Sequence, residues 1–475
     1  MRISNFIGGE FVAPKSGAYF ADINPATAQP IADVPDSDAS DIDAAVAAAK
    51  SAFPSWSRTS AEERSRILLK LSDVIEQNLN DLACMESRDN GKPLSLARSL
   101  DIPRAVANFR FFATAILHHA SAAHITDSTA LNYTLRQPLG VAGLISPWNL
   151  PLYLLSWKIA PAIASGNTCV AKPSELTPLT ADRLAQLSLE AGIPAGVMNI
   201  VHGYGAKAGA ALVEHRDVPM ISFTGGTVTG TRVAASAAPM FKKLSLELGG
   251  KNPTVVFADA DLDDAIRTSL RSAFWNQGEI CLCGSRVFVE RSIYDQFVDE
   301  FTQGAKKLKI GDPSDESTQV GALISEAHLE KVLGYIELAR EEGGMIVAGG
   351  ARVDRDGYFV EPTVITGLGC DRRVLQEEIF GPVVTITPFD REEEAIAFAN
   401  STRYGLSASL WTRDLKRAHR VAAAIDSGTV WINCWLLRDL RVPFGGAKDS
   451  GVGREGGFES LEFFTEAKNV CVKLG

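Results

Sequence analysis

The chain has 475 residues, 46% of them apolar and 22% charged, the composition of an ordinary globular protein; since single cores stop growing at ~250–300 residues, two or three lobes are expected, with room for a site between them. A net charge of −10 without any Lys/Arg-rich run argues against nucleic acid or an anionic membrane as partner and leaves a small molecule. No apolar stretch nears the ~20 residues of a membrane span, and the opening MRISNFIGGEFV has neither the apolar block nor the cleavage site of a signal peptide, so the expected location is cytoplasmic.

Residues 60–90 place apolar side chains at helical spacing behind an acidic first turn and stop on Asn90-Gly91, which predicts a helix or a helix pair. LNYTLRQPLG, at 131–140, alternates apolar and polar residues like an exposed antiparallel strand. Four short β-prone runs follow, VAGLISPW, GNTCVAKP, VMNIVHG and MISFTGG, interleaved with the helical stretches TADRLAQLSLEAG and AKAGAALVEH. Strand and helix in turn imply a parallel sheet with helical crossovers. After residue 250 a second α/β series begins, with PTVVFAD, SRVFVE, VVTITPF, SASLWT and TVWINC as strands and helices at 261–275, 292–308 and 392–400. The terminal NVCVKL has the character of 131–140, and the two are expected to share a small extra sheet at a subunit interface.

Two glycine-rich turns are candidates for a nucleotide. Gly203-Tyr-Gly205-Ala-Lys-Ala208 fits G-x-G-x-x-A, but no acidic residue ends a second strand ~20 positions on. Phe223-Thr-Gly225-Gly226-Thr227-Val-Thr-Gly230 runs from a strand through a turn into a helix whose free N–H groups favour phosphate. Gly230 is followed by Thr231-Arg232 and not Lys-Ser/Thr, which disfavours a triphosphatase. A tight turn without ligand is the alternative for both.

Seven scattered cysteines make a disulfide framework improbable, and Cys281 and Cys283 form only a C-x-C with no partner pair or nearby His, so no metal is expected. Cys281 lies just past the glycine-broken loop Asn276-Gln-Gly278, where a thiol can be exposed and activated; a buried, inert cysteine is the commoner fate. Glu247, in LSLELGGKNP, is a carboxylate among apolar residues, a setting that raises its pKa and suits a base; a capping Glu is the alternative. In Ser146-Pro147-Trp148-Asn149-Leu150-Pro151 two prolines fix the backbone and the Asn149 amide is placed to donate to an oxyanion, or simply forms a turn.

Taken together, PWNLP, AKPSELTP, FTGGTVTG, LELGGKNP, NQGEICLCGSR, EEIFGPV and PFGGAKDSGVGREGG, in this order over nearly the whole chain, resemble the aldehyde dehydrogenase superfamily. The resemblance implies that fold: a Rossmann-like NAD-binding domain (1–119 and 139–249), an α/β catalytic domain (250–446) and a small β oligomerisation extension with the C-terminal segment (120–138 and 447–475). It implies Cys281 as nucleophile, Asn149 as oxyanion donor and Glu247 as the base that hydrolyses the thioester. For the cofactor it implies NAD, with Lys172 and Glu175 on the adenosine ribose, where a carboxylate repels the 2′-phosphate of NADP. Ser146, Trp148, Gly205, Gly225, Gly226 and Leu248 would lie along the dinucleotide, and Glu378 and Phe380 at the nicotinamide ribose. Gly226 departs from the family, many members of which carry Ser there. A homodimer or homotetramer is implied as well.

Two segments matching the substrate tunnel carry charge, Asp101-Ile-Pro-Arg104 and Cys434-Trp-Leu-Leu-Arg438-Asp439-Leu-Arg441-Val-Pro-Phe444. With NQGEICLCGSR they look like the 2-aminomuconic and 2-hydroxymuconic semialdehyde dehydrogenases of tryptophan and aromatic-ring breakdown. The expectation is an aldehyde with a distant carboxylate, clamped by Arg104 and Arg441 with Arg438 in reserve, in a pocket shared with Trp157 and Phe444. The alternative for Arg438 and Arg441 is a structural ion cluster with Asp439. Competing functions are a dehydrogenase for other aliphatic aldehydes, a coenzyme A acylating enzyme, which Glu247 disfavours, and a non-catalytic protein on the same fold.

Overall fold

The computed structural model describes residues 1–475. Five parallel strands form the middle of an eight-stranded sheet in the spatial order Met198–Ile200, Thr168–Lys172, Val141–Ile145, Met220–Thr224, Lys243–Glu247. Val141–Ile145 and Thr168–Lys172 are buried throughout, as expected of strands covered by helices on both faces, which is why they read as apolar runs rather than as alternation. Counted along the chain the order is third, second, first, fourth, fifth, so it reverses between Val141–Ile145 and Met220–Thr224. In such sheets ligands bind beyond the strand ends at the point of reversal. An N-terminal hairpin, Asn5–Ile7 with Glu10–Val12, closes one edge antiparallel to Met198–Ile200.

The second sheet has seven strands, in the order Met345–Ala348, Thr363–Thr366, Val383–Phe389, Arg286–Glu290, Pro253–Val256, Ser407–Trp411, Thr429–Ile432, all parallel except the first. A third, antiparallel sheet joins Thr465–Lys473, Ala130–Pro138 and Ala123–Thr126. The expected pairing of the 131–140 run with the C-terminal run is present over nine register positions, Thr465 opposite Pro138 to Lys473 opposite Ala130.

The helix pair read over 60–90 is Ala61–Gln77 and Leu79–Asn90. Ser60 caps the first by accepting from Glu63 N–H, with Glu62 and Glu63 in its first turn, and Gly91 ends the second at φ 86°, a conformation that suits glycine. The predicted helices at 261–275, 292–308 and 392–400 span Leu262–Phe274, Tyr294–Lys306 and Glu392–Asn400. Several helices carry no legible period. Pro151–Ala164 has every residue but Leu154 buried, so no polar face marks it. Ile102–Ala115, preceded by a wide turn over Ala97–Asp101, and Glu326–Glu341 were also not read.

The C-terminal segment is divided in a way the sequence did not indicate. Gly451–Val452 does not join the extension; it adds an antiparallel edge to Lys243–Glu247 in the first sheet, with Gly451 opposite Glu247. No helix is long and apolar enough to cross a membrane.

Candidate active site

Two adjoining cavities meet at Cys281, Leu154, Thr224 and Leu248. One, of about 260 Å³, opens at the reversal of the first sheet and is lined by Pro147, Trp148, Asn149, Gly225, Gly226 and, from the second lobe, Glu378 and Phe380. The other, of about 40 Å³, is lined chiefly by apolar groups, among them Tyr153, Trp157, Ile280 and Phe444, with Arg104, Glu247 and Arg438 among them. The thiol therefore sits where a dinucleotide cleft and an aldehyde pocket would join.

Cys281 follows a strained loop. Asn276 and Gln277 hold φ of 50° and 55° and Gly278 follows at 73°, a run that costs about 1–3 kcal/mol for each non-glycine residue. Side chains hold it. Asn276 Nδ2 donates to the carbonyls of Asn149 (3.1 Å) and Glu279 (3.2 Å), and Gln277 Nε2 to that of Ala322 (3.1 Å). A Cβ at position 278 would lie 2.2 Å from the carbonyl of Gly381, so only glycine fits. Burial, then the neighbouring Glu247 and Glu378 carboxylates, push the Cys281 thiol up to about 12, with Arg438 acting in the other direction. At neutral pH such a thiol needs a base. Cys283 is buried and raised further, as befits an inert neighbour.

Glu247 ends its strand opposite Thr224 and Gly451. Burial, reinforced by Glu455, holds its carboxyl well above the usual range, against Lys158, Arg438 and Arg454. Its Oε1 has no hydrogen-bond partner. Beneath it lies a buried polar knot absent from the sequence reading: Glu455 Oε1 accepts from Lys158 Nζ (3.0 Å), Ser222 Oγ (2.9 Å) and Ser245 Oγ (3.2 Å). A single Lys within the apolar PLYLLSWKIAPAIA helix was the available signal. Asn149 is buried, and its Nδ2 donates to the Glu279 carbonyl at 2.9 Å, leaving one amide N–H uncommitted.

Along the cleft, the Gly225-Gly226 turn leads into helix Thr227–Ala237, whose first N–H groups have no side-chain cap. That turn, not Gly203–Ala208, stands at the reversal. Gly205 instead starts a wide turn on the third strand's exit. Burial works to raise Glu175, but Lys172, 2.7 Å away, holds it below its ordinary value. Ser146 N–H reaches the Lys172 carbonyl at 3.3 Å. Glu378 Oε1 accepts from Gly250 N–H at 2.9 Å; a Cβ on Gly249 would meet Glu378 Oε2 at 2.1 Å and one on Gly250 would meet Asn252 Oδ1 at 2.7 Å, which accounts for both glycines of LELGGK. Phe380, at φ 61°, meets Trp148 edge-on with centroids 5.3 Å apart. His328 and Lys331, from the unread helix, also line this cavity.

The arginines separate. Arg438 lies 3.9 Å above the Phe444 ring and 5.6 Å from that of Trp157, with Nη1 3.4 Å from the Tyr153 hydroxyl. Arg104 lies 5.7 Å from the Tyr153 ring. Neither forms an ion pair. Arg441 was misassigned as a clamp: it lines neither cavity, its side chain is 80% exposed, and it is held by Asp439, Nη2 to Oδ2 at 2.6 Å. A carboxylate two residues away claimed its fork, so the ion-cluster alternative applies to Arg441 and not to Arg438. No group of three or more His, Cys, Asp or Glu side chains is arranged to hold a metal.

A sheet that reverses beside a thiol, with a buried carboxylate opposite, defines a class of enzyme, and comparison with known proteins agrees. The aldehyde dehydrogenase family model matches residues 11–470, and the chain belongs to that family: it is an oxidoreductase acting on small aldehydes. It is 55% identical to the 2-aminomuconic semialdehyde dehydrogenase of Danio rerio over 99% of this chain and 98% of the relative. It is 50% identical to the 2-hydroxymuconic semialdehyde dehydrogenase of Pseudomonas sp. (strain CF600) over 100% of both. The NAD+ complex of an aldehyde dehydrogenase from Bacillus cereus superposes with a TM-score of 0.99 at 44% identity, covering 100% of this chain and 97% of that one. The fold expected from the motifs is therefore the fold observed.

Proposed function

We propose that this enzyme oxidises a muconic-type semialdehyde, 2-aminomuconic or 2-hydroxymuconic 6-semialdehyde, to the dicarboxylic acid, with NAD as oxidant. The carrying observation is the pair Arg104 and Arg438, two guanidinium groups without acidic partners in the cavity that contains Cys281. Both are half-buried and neither makes an ion-pair contact, so each keeps donors that a substrate carboxylate can take in bidentate geometry. The names of the similar enzymes from Danio rerio and Pseudomonas support the same substrate class.

The cleft fits NAD. The uncapped start of helix Thr227–Ala237 and the Gly225-Gly226 turn suit a pyrophosphate, half-buried Glu378 and Phe380 suit the nicotinamide ribose, and Lys172 with ionised Glu175 would hold the adenosine ribose while repelling a 2′-phosphate. Trp148 and Leu248 would flank it, and Ser146 would sit at its adenosine side. When bound, the nicotinamide supplies the hydride acceptor.

Glu247 takes the proton from Cys281, and the sulfur adds to the aldehyde carbon. The oxygen, now anionic, is held by the free Asn149 amide N–H and the Cys281 backbone N–H. Loss of hydride leaves a thioester on Cys281. Glu247, its carboxyl raised by burial, passes the thiol proton on to solvent and then deprotonates the water that displaces the thiolate and releases the acid. The first sheet with residues 1–119 and 139–249 would serve the cofactor, and residues 250–446 the thiol. The third sheet would join subunits of a dimer or tetramer in a cytoplasmic enzyme.

The test is kcat/KM for 2-hydroxymuconic semialdehyde against a neutral aldehyde of similar length, followed by NADH absorbance. The carboxylated substrate is expected to be preferred at least 10-fold, on the scale of one charge-assisted hydrogen bond. Equal values would overturn the assignment.

A further inference from the structure

The oxyanion loop hangs on a buried charge that the chemistry above does not use. Lys92, in Asp89-Asn-Gly-Lys, is fully buried. Its Nζ donates to the Asn149 carbonyl at 3.0 Å, pairs with the Asp101 carboxylate and lies 3.8 Å from Glu86 Oε1. Asn90 Nδ2 holds the preceding carbonyl, that of Trp148, at 2.9 Å. Leu152 N–H is 3.4 Å from Glu86 Oε2. The one loop that carries Asn149 is thus gripped at three points by a segment far away in sequence. Two acids face one ammonium, and Glu86 Oε1 and Asp101 Oδ1 have no hydrogen-bond partner. Burial raises Glu86 to about 7 despite Lys92, so it is largely protonated below neutral pH and Asp101 is the counter-ion.

This arrangement is costly for fold stability alone, because apolar residues of the same volume fill such a space at least as well. What the ammonium does that a methyl group does not is fix one carbonyl in direction. The Asn149 carbonyl accepts from both Lys92 and Asn276, which sets the peptide plane and with it the side chain whose Nδ2 leans on Glu279. Asp101 also belongs to the helical stretch 97–115 that presents Arg104. One buried ammonium therefore ties the oxyanion donor to the helix of the carboxylate-binding arginine.

We propose that Lys92, held by Asp101, is a positioning residue for catalysis: it aims the Asn149 carboxamide at the developing oxyanion and locks that loop in register with the helix bearing Arg104. The inference rests on the oxyanion role proposed for Asn149. It predicts an effect on the acylation and hydride step that, at saturating aldehyde, passes through Asn149, while any displacement of the helix bearing Arg104 is read in the KM for the aldehyde.

The experiment is a double-mutant cycle on the pre-steady-state NADH burst of the full-length enzyme. Removing both charges together, Lys92→Met with Asp101→Asn, avoids leaving one buried charge unpaired. The burst rate is expected to fall about 10- to 100-fold, somewhat less than the loss of an oxyanion donor itself. The dissociation constant for NAD should stay within about 2-fold, which a general loosening of the fold would not allow. In the Asn149→Ala background the same pair of changes should cost no more than about 2-fold. If the losses multiply, or if the charge-free enzyme bursts at the wild-type rate, the inference is overturned. If the charge-free enzyme does not fold, Asp101→Asn alone carries the test, with a smaller loss expected in the wild-type background and none in Asn149→Ala; equal losses in both would overturn it. A wild-type burst from Asn149→Ala itself would overturn the underlying oxyanion assignment instead, and is read separately.

Discussion

Glu247 and Cys281 depend on each other through charge. The carboxylate proposed as base also raises the thiol, and a thiol pushed up to about 12 needs such a base at neutral pH. Cys281→Ala is expected to abolish NADH formation, and any retained turnover above about 1% of wild type would count against the nucleophile. Glu247→Gln should slow both the NADH burst, which needs the thiol deprotonated, and thioester hydrolysis, the second by more, about 100-fold or beyond, so a slowed burst followed by a stalled steady state is the expected trace. The sign of the pH dependence follows from burial. A carboxyl held above its ordinary value is protonated, and useless as a base, until pH rises through that raised value; hydrolysis-limited kcat should climb with pH there and fall away below it. Glu455→Gln removes a like charge and leaves Lys158 uncompensated, so it should move that limb to lower pH. A limb that stays put or moves up would contradict this. Among the arginines, Arg104→Ala should cost about 2 kcal/mol, roughly 30-fold in kcat/KM, on the carboxylated aldehyde only, and Arg438→Ala should cost that much more on the carboxylated aldehyde than on a neutral one, since its loss also raises Cys281 and Glu247. Arg441→Ala, which strips an exposed pair with Asp439, should cost almost nothing on either substrate.

At the scale of elements, the loop Asn276–Gly278 is the most constrained piece of backbone near the chemistry. Gly278→Ala puts a methyl group 2.2 Å from a carbonyl at a φ of 73°. It is expected to lose at least about 2 kcal/mol of stability or to displace Cys281, read as a lowered Tm together with slower alkylation by iodoacetamide. Elements with a period were legible in the sequence: the helix pair ending on Gly91, the apolar strands of both sheets, and the pairing of Ala130–Pro138 with Thr465–Lys473. Elements buried all round were not, because a helix such as Pro151–Ala164 has no wet face to set a rhythm. The candidate site divides in the same way. Cys281, Glu247 and Asn149 stand in motifs, as does Glu455 without its role being legible there, while Lys158, His328 and Lys92 became meaningful only when distant segments met. Arg441 shows the reverse error, since a charge in the right segment says nothing of which way it points. Only the local Asp439 contact decides that: Arg441 donates to Asp439, while Arg438, one place before that acceptor, faces the aromatic rings and is the arginine proposed for the clamp.

For the molecule as a whole, the third sheet is the part with least to hold it within one subunit, its strands Ala123–Thr126 and Thr465–Lys473 being largely exposed. Removing residues 466–475 deletes a strand bonded along Ala130–Pro138, and the expected outcome is a smaller particle by light scattering, because an unpaired edge no longer presents the surface proposed to join subunits. An unchanged mass would exclude that sheet from the interface. The edge strand Gly451–Val452 has a different consequence. Glu247 is placed by a strand that this late segment completes, and its cavity is walled by Arg438, Phe444 and Glu455. During synthesis the first sheet's parallel core is available once residue 247 has left the ribosome, yet the catalytic chamber stays open on one side for some two hundred residues more. If the first sheet serves the cofactor and Cys281 the aldehyde as proposed, a nascent or prematurely ended chain would carry the sheet while the pocket around its thiol is still unwalled.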